Sequence, residues 1–192
     1  SQGFVSQDEL DAAGTLVDTV DSRLIISSGE TVFVEMKDLG ATKIGDTFSL
    51  FEVKNPVMHP VTGVKLGFRV EDMGILKITE IHEEVASAEV VTAFREIQRG
   101  AKLRPYQPQP AAIELKRAGR ELTGVLIEAQ DGKITLSQYD VVYLDLGADD
   151  GLQVGNMLNI SRARKVTDLA GANPNLKLPD ALLGAALVIE TH

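Results

Sequence analysis

Laid against itself at a shift of 110 residues, the sequence falls into register from Gly14 on Gly124 to Glu80 on Glu190. No other feature constrains the fold as much, because a fixed period marks one structural unit built twice. Leu16 and Val17 fall on Leu126 and Ile127, Asp21 on Asp131, Leu24 and Ile26 on Ile134 and Leu136, Ser27 on Ser137, and Glu30 on Asp140. Val32, Phe33, Val34 and Glu35 meet Val142, Tyr143, Leu144 and Asp145; Ile44-Gly45 meets Val154-Gly155; Phe48 and Leu50 meet Leu158 and Ile160; Gly74 and Ile78 meet Gly184 and Val188. Apolar residues land on apolar residues and glycine on glycine with no net gap, which predicts two diverged copies of one module.

Between the copies, Pro105, Pro108 and Pro110 punctuate a stretch that can join neither a helix interior nor a sheet ladder, as in a semi-rigid spacer. The expected organisation is a capping helix over 1–13, a first β-rich repeat over 14–104, a linker over 105–112 and a second repeat over 113–192.

Strand signals dominate each copy. The segments 31–36 and 141–146 crowd β-branched and aromatic residues together, and glycine turns follow them. In the second copy Gly147-Ala148-Asp149-Asp150-Gly151 leads through Leu152, Val154 and Gly155 into a strand at 157–160; in the first, Ile44-Gly45-Asp46 leads into 48–53. Apolar spacing predicts further strands at 74–81 and 85–91. The expected class is therefore mainly β: two tandem, duplicated, small barrel- or sandwich-like domains. Val32, Val34, Ile44, Phe48 and Leu50 are the predicted core of the first, and Val142, Leu144, Val154, Leu158 and Ile160 of the second, with Gly45 and Gly155 in equivalent turns.

Helix signals are few. Ser6 and Glu9 have the spacing of a capping box, Val5 and Leu10 that of a hydrophobic staple, and Gly14 is placed to end the helix. One more helical turn is expected at 92–98, before Gly100.

Composition narrows the class of partner. A net charge of −9 argues against a phosphate backbone or an anionic lipid surface, since both are bound by lysine and arginine. The longest nearly apolar run, 181–189, falls short of the roughly 20 residues of a membrane span and is interrupted by Gly184. The first residues lack the pattern of a signal peptide, which is expected to have been removed or to lie upstream. The absence of cysteine removes disulfides, thiolate nucleophiles and cysteine-type zinc sites together and is compatible with either redox compartment.

Catalytic signatures are missing: the chain contains no G-x-S-x-G elbow, no Walker phosphate loop and no G-x-G-x-x-G fingerprint. Asp145, Gly147, Asp149, Asp150 and Gly151 cluster carboxylates beside a turn, but a calcium loop wants glycine sixth and glutamate twelfth, where Asp150 and Asn156 stand, so a strand-ending turn is expected. His59, His82 and His192 have no metal-ligand spacing, and His59 before Pro60 reads as a turn residue. Glu83-Glu84 and Glu71-Asp72 read as solvated turn faces rather than a glycosidase pair. With no tryptophan, and with Phe33 and Phe48 at core-like positions, no aromatic sugar platform is evident; Phe68 and Tyr106 have no assigned role. No catalytic, cofactor or metal residue is assigned.

Val142-Tyr143-Leu144-Asp145-Leu146-Gly147, followed by Asp150-Gly151-Leu152 and Val154-Gly155, resembles a segment common in bacterial envelope modules. Over nearly the whole chain the resemblance is to the long C-terminal region of LysM-domain proteins of Gram-negative bacteria, where Phe4-Val5-Ser6 and Glu9-Leu10 lead into Gly14-Thr15, and Pro60-Val61-Thr62-Gly63 with Leu66-Gly67 recurs. The strand-turn-strand core also resembles the C-terminal domain of flagellar assembly protein T, a periplasmic component of the flagellar basal body. The matching residues are structural glycines and apolar strand positions, so the resemblance implies fold and compartment rather than ligand.

What it implies is a non-enzymatic accessory region of a periplasmic or cell-envelope protein, without cofactor or metal, that interacts with another envelope protein. Peptidoglycan would be reached only through a LysM module absent from this chain, and neither nucleic acid nor a membrane span is expected. The alternatives are a structural or assembly subunit of a periplasmic machine such as the flagellar basal body and, further off, a carboxylate-based cell-wall hydrolase. Since the counterparts of Glu83 to Arg104 are missing from the second copy, the chain is further expected either to continue past His192 by roughly 20 residues or to have its open sheet edge filled by another chain.

Overall fold

A computed structural model describes residues 2–5 (backbone), 11–21, 24–108, 112–166 and 176–191. The protein is mainly β, and among these residues a single 3-10 turn, Gln130–Gly132, is the one helical element. Two compact units are present: Ser1–Gln109 with Ile127–Tyr143, and Pro110–Leu126 with Leu144–His192.

In the 1–109 part of the first unit the strands are β1 (Gln2–Val5), β2 (Gly14–Thr19), β3 (Thr31–Met36), β4 (Thr47–Met58), β5 (Lys65–Ile81), β6 (Ala86–Ala93) and β7 (Lys102–Pro105). They form one antiparallel sheet in the order β1-β5-β4-β7-β2-β3-β6. β6 bonds to β3 along one edge and to β5 along the other, so the pairings return to β5. Strand alternation explains which residues face inward: in β3, Val32, Val34 and Met36 are buried while Thr31 and Glu35 are exposed. The core they enter contains Leu16, Ile26, Leu50, Leu76, Ile78, Ala88, Val90, Ile97 and Leu103, all at most 1 % exposed. Each fully buried Leu or Ile stabilises the unit by about 1.5–3 kcal/mol relative to an exposed one.

Three expectations are corrected here. Ile44 is 67 % exposed, because it lies in the turn before β4, where alternation does not apply. The N-terminal helix gives way to strand on both sides: β1 pairs with β5, Val5 facing Phe68, and Gly14 opens β2. Glycine is needed at position 14 because a Cβ there would lie 2.6 Å from the Glu35 carbonyl oxygen, not because a helix ends. Ser6, Glu9 and Leu10 lie outside the described residues. The expected helical turn at 92–98 is instead the end of β6, a bend, and a bridge from Ile97 to Ile26.

The remaining strands are β8 (Leu126–Ala129), β9 (Val142–Leu144), β10 (Met157–Arg162) and β11 (Ala181–Leu187), and they pair only as β8–β9 and β10–β11. β10 and β11 match Met157 with Leu187, Leu158 with Ala186, Asn159 with Ala185 and Ile160 with Gly184; a bulge follows, then Ser161 with Leu182 and Arg162 with Ala181. Subtracting 110 from every number gives six of the pairs of β4 with β5, bulge included. Turns agree too: Gly45 at φ +97° donates to Ile78 O and Gly155 at φ +96° donates to Val188 O, each at 2.9 Å. Ser27 N–H donates to Glu30 Oε2 as Ser137 N–H donates to Asp140 Oδ2, at 3.0 and 2.8 Å. Yet Val142, Leu144, Val154, Leu158 and Ile160 are half-buried rather than buried, since no further strand covers these pairs among the described residues.

Candidate interaction surface

Asp145 and Asp150 of the acidic turn are engaged with backbone. Asp150 Oδ2 accepts the Gly147 N–H at 2.9 Å, Asp145 Oδ1 accepts the Val125 N–H, and the Arg120 guanidinium donates to the Asp150 carbonyl. Asp149 is exposed. Among the described residues no three histidine or acidic side chains converge as metal ligands.

His59 closes the β4–β5 turn: its Nδ1 accepts the N–H groups of Val61 and Thr62, both at 3.1 Å, and its own N–H donates to Val64 O. Glu83-Glu84 is an exposed bend between β5 and β6. Glu71-Asp72 is a different matter, and the expected solvated turn is overturned. Both residues lie inside β5, and the Asp72 side chain, 6 % exposed, accepts from Arg104 Nη2 at 2.8 Å. Glu71 pairs with Arg95 at 3.1 Å and with Lys54 at 3.4 Å. Lys54 also bonds to Glu52, and this bond, with help from Glu71, raises the ammonium pKa above its ordinary value against the opposing effect of burial. Phe68 lies under the Lys65 ammonium at 3.9 Å, and Tyr106 N–H donates to Thr47 O.

A serine–histidine contact escaped the sequence reading: His82 Nε2 and Ser87 Oγ are 2.7 Å apart. They lie five positions apart in sequence, and the β5–β6 register closes that distance, with Ile81 facing Ala86. Hydrolytic geometry needs a carboxylate on the other ring nitrogen, whereas Glu80 approaches Nε2 itself, at 4.0 Å, and Ser87 is buried. The contact ties β5 to β6. His192 lies outside the described residues.

The β10–β11 pair carries the other notable surface. Leu182 and Leu183 are 70 % and 53 % exposed, and Met157 and Leu187 are exposed beside them. In β5 the positions 110 residues earlier hold Asp72, Met73 and Lys77, the first two buried. Among the described residues no further strand lies against this pair.

Against known proteins, the chain matches no family model and no curated relative.

Proposed function

We propose that this chain is a non-enzymatic interaction region of a cell-envelope, peptidoglycan-associated protein of the LysM type, made of two diverged copies of one β-rich module. The exposed apolar strand pair β10–β11 is the observation that carries the interaction role. Duplication is supported by the strand registers and glycine turns that agree at a shift of 110 residues. The envelope assignment rests on the resemblance of Val142–Gly147 and Asp150–Gly155, and peptidoglycan would be reached only through a LysM module absent from this chain. Structural membership of a periplasmic machine such as the flagellar basal body is the second reading, favoured by the same strand-turn-strand segment.

Cell fractionation of the tagged natural protein tests the compartment; recovery in the periplasmic or envelope fraction is the expected result, and a cytosolic location would remove the reading. Purified sacculi should not sediment this chain by itself. A cell-wall zymogram should show no clearing; clearing abolished by replacing one carboxylate would reinstate the hydrolase.

A further inference from the structure

We infer that the chain pairs with a second copy of itself through the two ends of β5. The apolar, lysine-bearing tip of the β4–β5 hairpin in one copy meets the acidic β5–β6 bend of the other, and a two-fold arrangement makes this contact twice. The pairing lies in the first unit and does not depend on the envelope reading.

The hairpin tip is paired only with itself. β7 bonds to β4 over 48–51 and β1 to β5 over 68–71, so among the described residues positions 56–67 have no other strand beside them. Its turn is fixed by local bonds: His59 N–H donates to Val64 O and Gly63 N–H to His59 O, each at 2.8 Å, while the His59 ring accepts from Val61 and Thr62. Met58, Val61 and Val64 are exposed there. A turn already held in one conformation loses little freedom when it docks.

Charge selects the occupant. Although the chain carries a net charge of −9, residues 53–70 contain no acid, whereas residues 78–91 contain four glutamates and neither lysine nor arginine. Lys54 is paired with Glu52 and Glu71, and Arg69 with Glu128. Lys65 has no acidic partner among the described residues; its ammonium lies over the Phe68 ring. At the far end of β5, Glu83 and Glu84 are exposed and have no basic partner among the described residues, and Ile81 is exposed beside them.

At about 3.3 Å per residue the two ends of β5 are separated by roughly 50 Å, several times the screening length of about 8 Å. Neither end can therefore neutralise the other within one molecule. Two copies with their β5 strands antiparallel bring each tip to the other's bend. Single exposed ion pairs contribute little, but two equal contacts joined by one strand reinforce each other, and the tip's apolar side chains against Ile81 add buried area. An anionic lipid surface is a poorer occupant, because it would attract one lysine and repel a chain of net charge −9.

Sedimentation velocity of the 192-residue chain should show a monomer–dimer equilibrium that weakens severalfold from low to high salt. Lys65→Glu, and separately the double variant Glu83→Lys with Glu84→Lys, should each weaken dimerisation tenfold or more with circular dichroism unchanged, since all three side chains are exposed. An equimolar mixture of the two variants should recover the dimer: the reversed tip of one faces the reversed bend of the other, and the remaining contact is the native one. Val61→Ser should weaken the pair severalfold without altering any charge. A monomer at every concentration, a dimer indifferent to salt or to charge reversal, or a mixture that stays monomeric would each overturn the inference. So would a monomeric chain that sediments through Lys65 with vesicles of phosphatidylcholine and phosphatidylglycerol, which would give the tip to a lipid surface instead.

Discussion

Arg104 on β7 reaches across β4 to Asp72 on β5, guanidinium to carboxylate at 2.8 Å, and so links two strands that do not touch through their backbones. The guanidinium also lies 5.7 Å from the centre of the Phe51 ring, one of the two buried residues of a small apolar cluster separate from the main core. Removing one member of a buried pair leaves the other charge desolvated. Arg104→Ala should therefore cost about 2–3 kcal/mol, at the low end because the arginine keeps a wet side. Urea unfolding checks this, and a loss below about 0.5 kcal/mol, the range of ordinary surface substitutions, would show that the pair is incidental.

Gly45 and Gly155 should differ sharply when each is changed to alanine, although their φ angles are +97° and +96°. Both substitutions force a side chain into a conformation that costs roughly 1–2 kcal/mol. At Gly45 little else opposes the new methyl, the nearest atom being Lys77 Cε at 4.0 Å. At Gly155 the Cβ would fall 2.0 Å from the Glu114 carbonyl oxygen, beside the bond from Lys116 N–H to Gly155 O. Gly155→Ala should thus cost well beyond Gly45→Ala and deprotect the Lys116 amide in hydrogen exchange; equal effects would contradict the close packing of 114–116.

How much of this was legible beforehand depended on whether the signal was local. β3 declared itself through its crowded β-branched and aromatic residues, and the paired turns at Gly45 and Gly155 through the repeat. The length of β5 did not, because Glu71 and Asp72 are charged and lie mid-strand only by virtue of partners distant in sequence, Arg95 and Arg104. Ile44 misled for the opposite reason: it is apolar, but a turn holds it away from the core. The candidate surface itself was only half visible. Composition reveals that 181–187 is apolar, and only strand pairing reveals that, among the described residues, β10 is the strand beside it.

Asp140 should give an acid-sensitive local transition. Its carboxylate is held down to about 2 by the hydrogen bond from Lys133, and then by those from the Ser137 N–H and hydroxyl. Since this folded-state pKa lies below the ordinary value of 3.8, the contribution is fully present above about pH 4 and is lost as pH falls through about 2. An NMR titration of the Asp140 carboxyl together with the Ser137 amide should show them changing together in that window. In Asp140→Asn the Ser137 amide should no longer titrate there. Titration of Asp140 near 4 would mean that these bonds are not made in solution.

Gly74 and Gly184 provide the sharpest contrast, because one equivalent position is closed and the other open. Alanine at 74 drives a methyl into the Thr92 carbonyl oxygen 2.5 Å away and against Ile97, which itself is fully buried. Overpacking of this kind costs about 1–3 kcal/mol, and β6 must move for the change to be accommodated. Alanine at 184 meets nothing within 4 Å and removes the entropic penalty of a strand glycine, so it should be neutral or stabilise by up to about 1 kcal/mol. Thermal melting of the two single variants measures the difference. A destabilised Gly184→Ala chain would mean that the space beside Gly184 is filled in solution, whereas a harmless Gly74→Ala would place β6 further from β5 than the register of Gly74 with Ala93 requires.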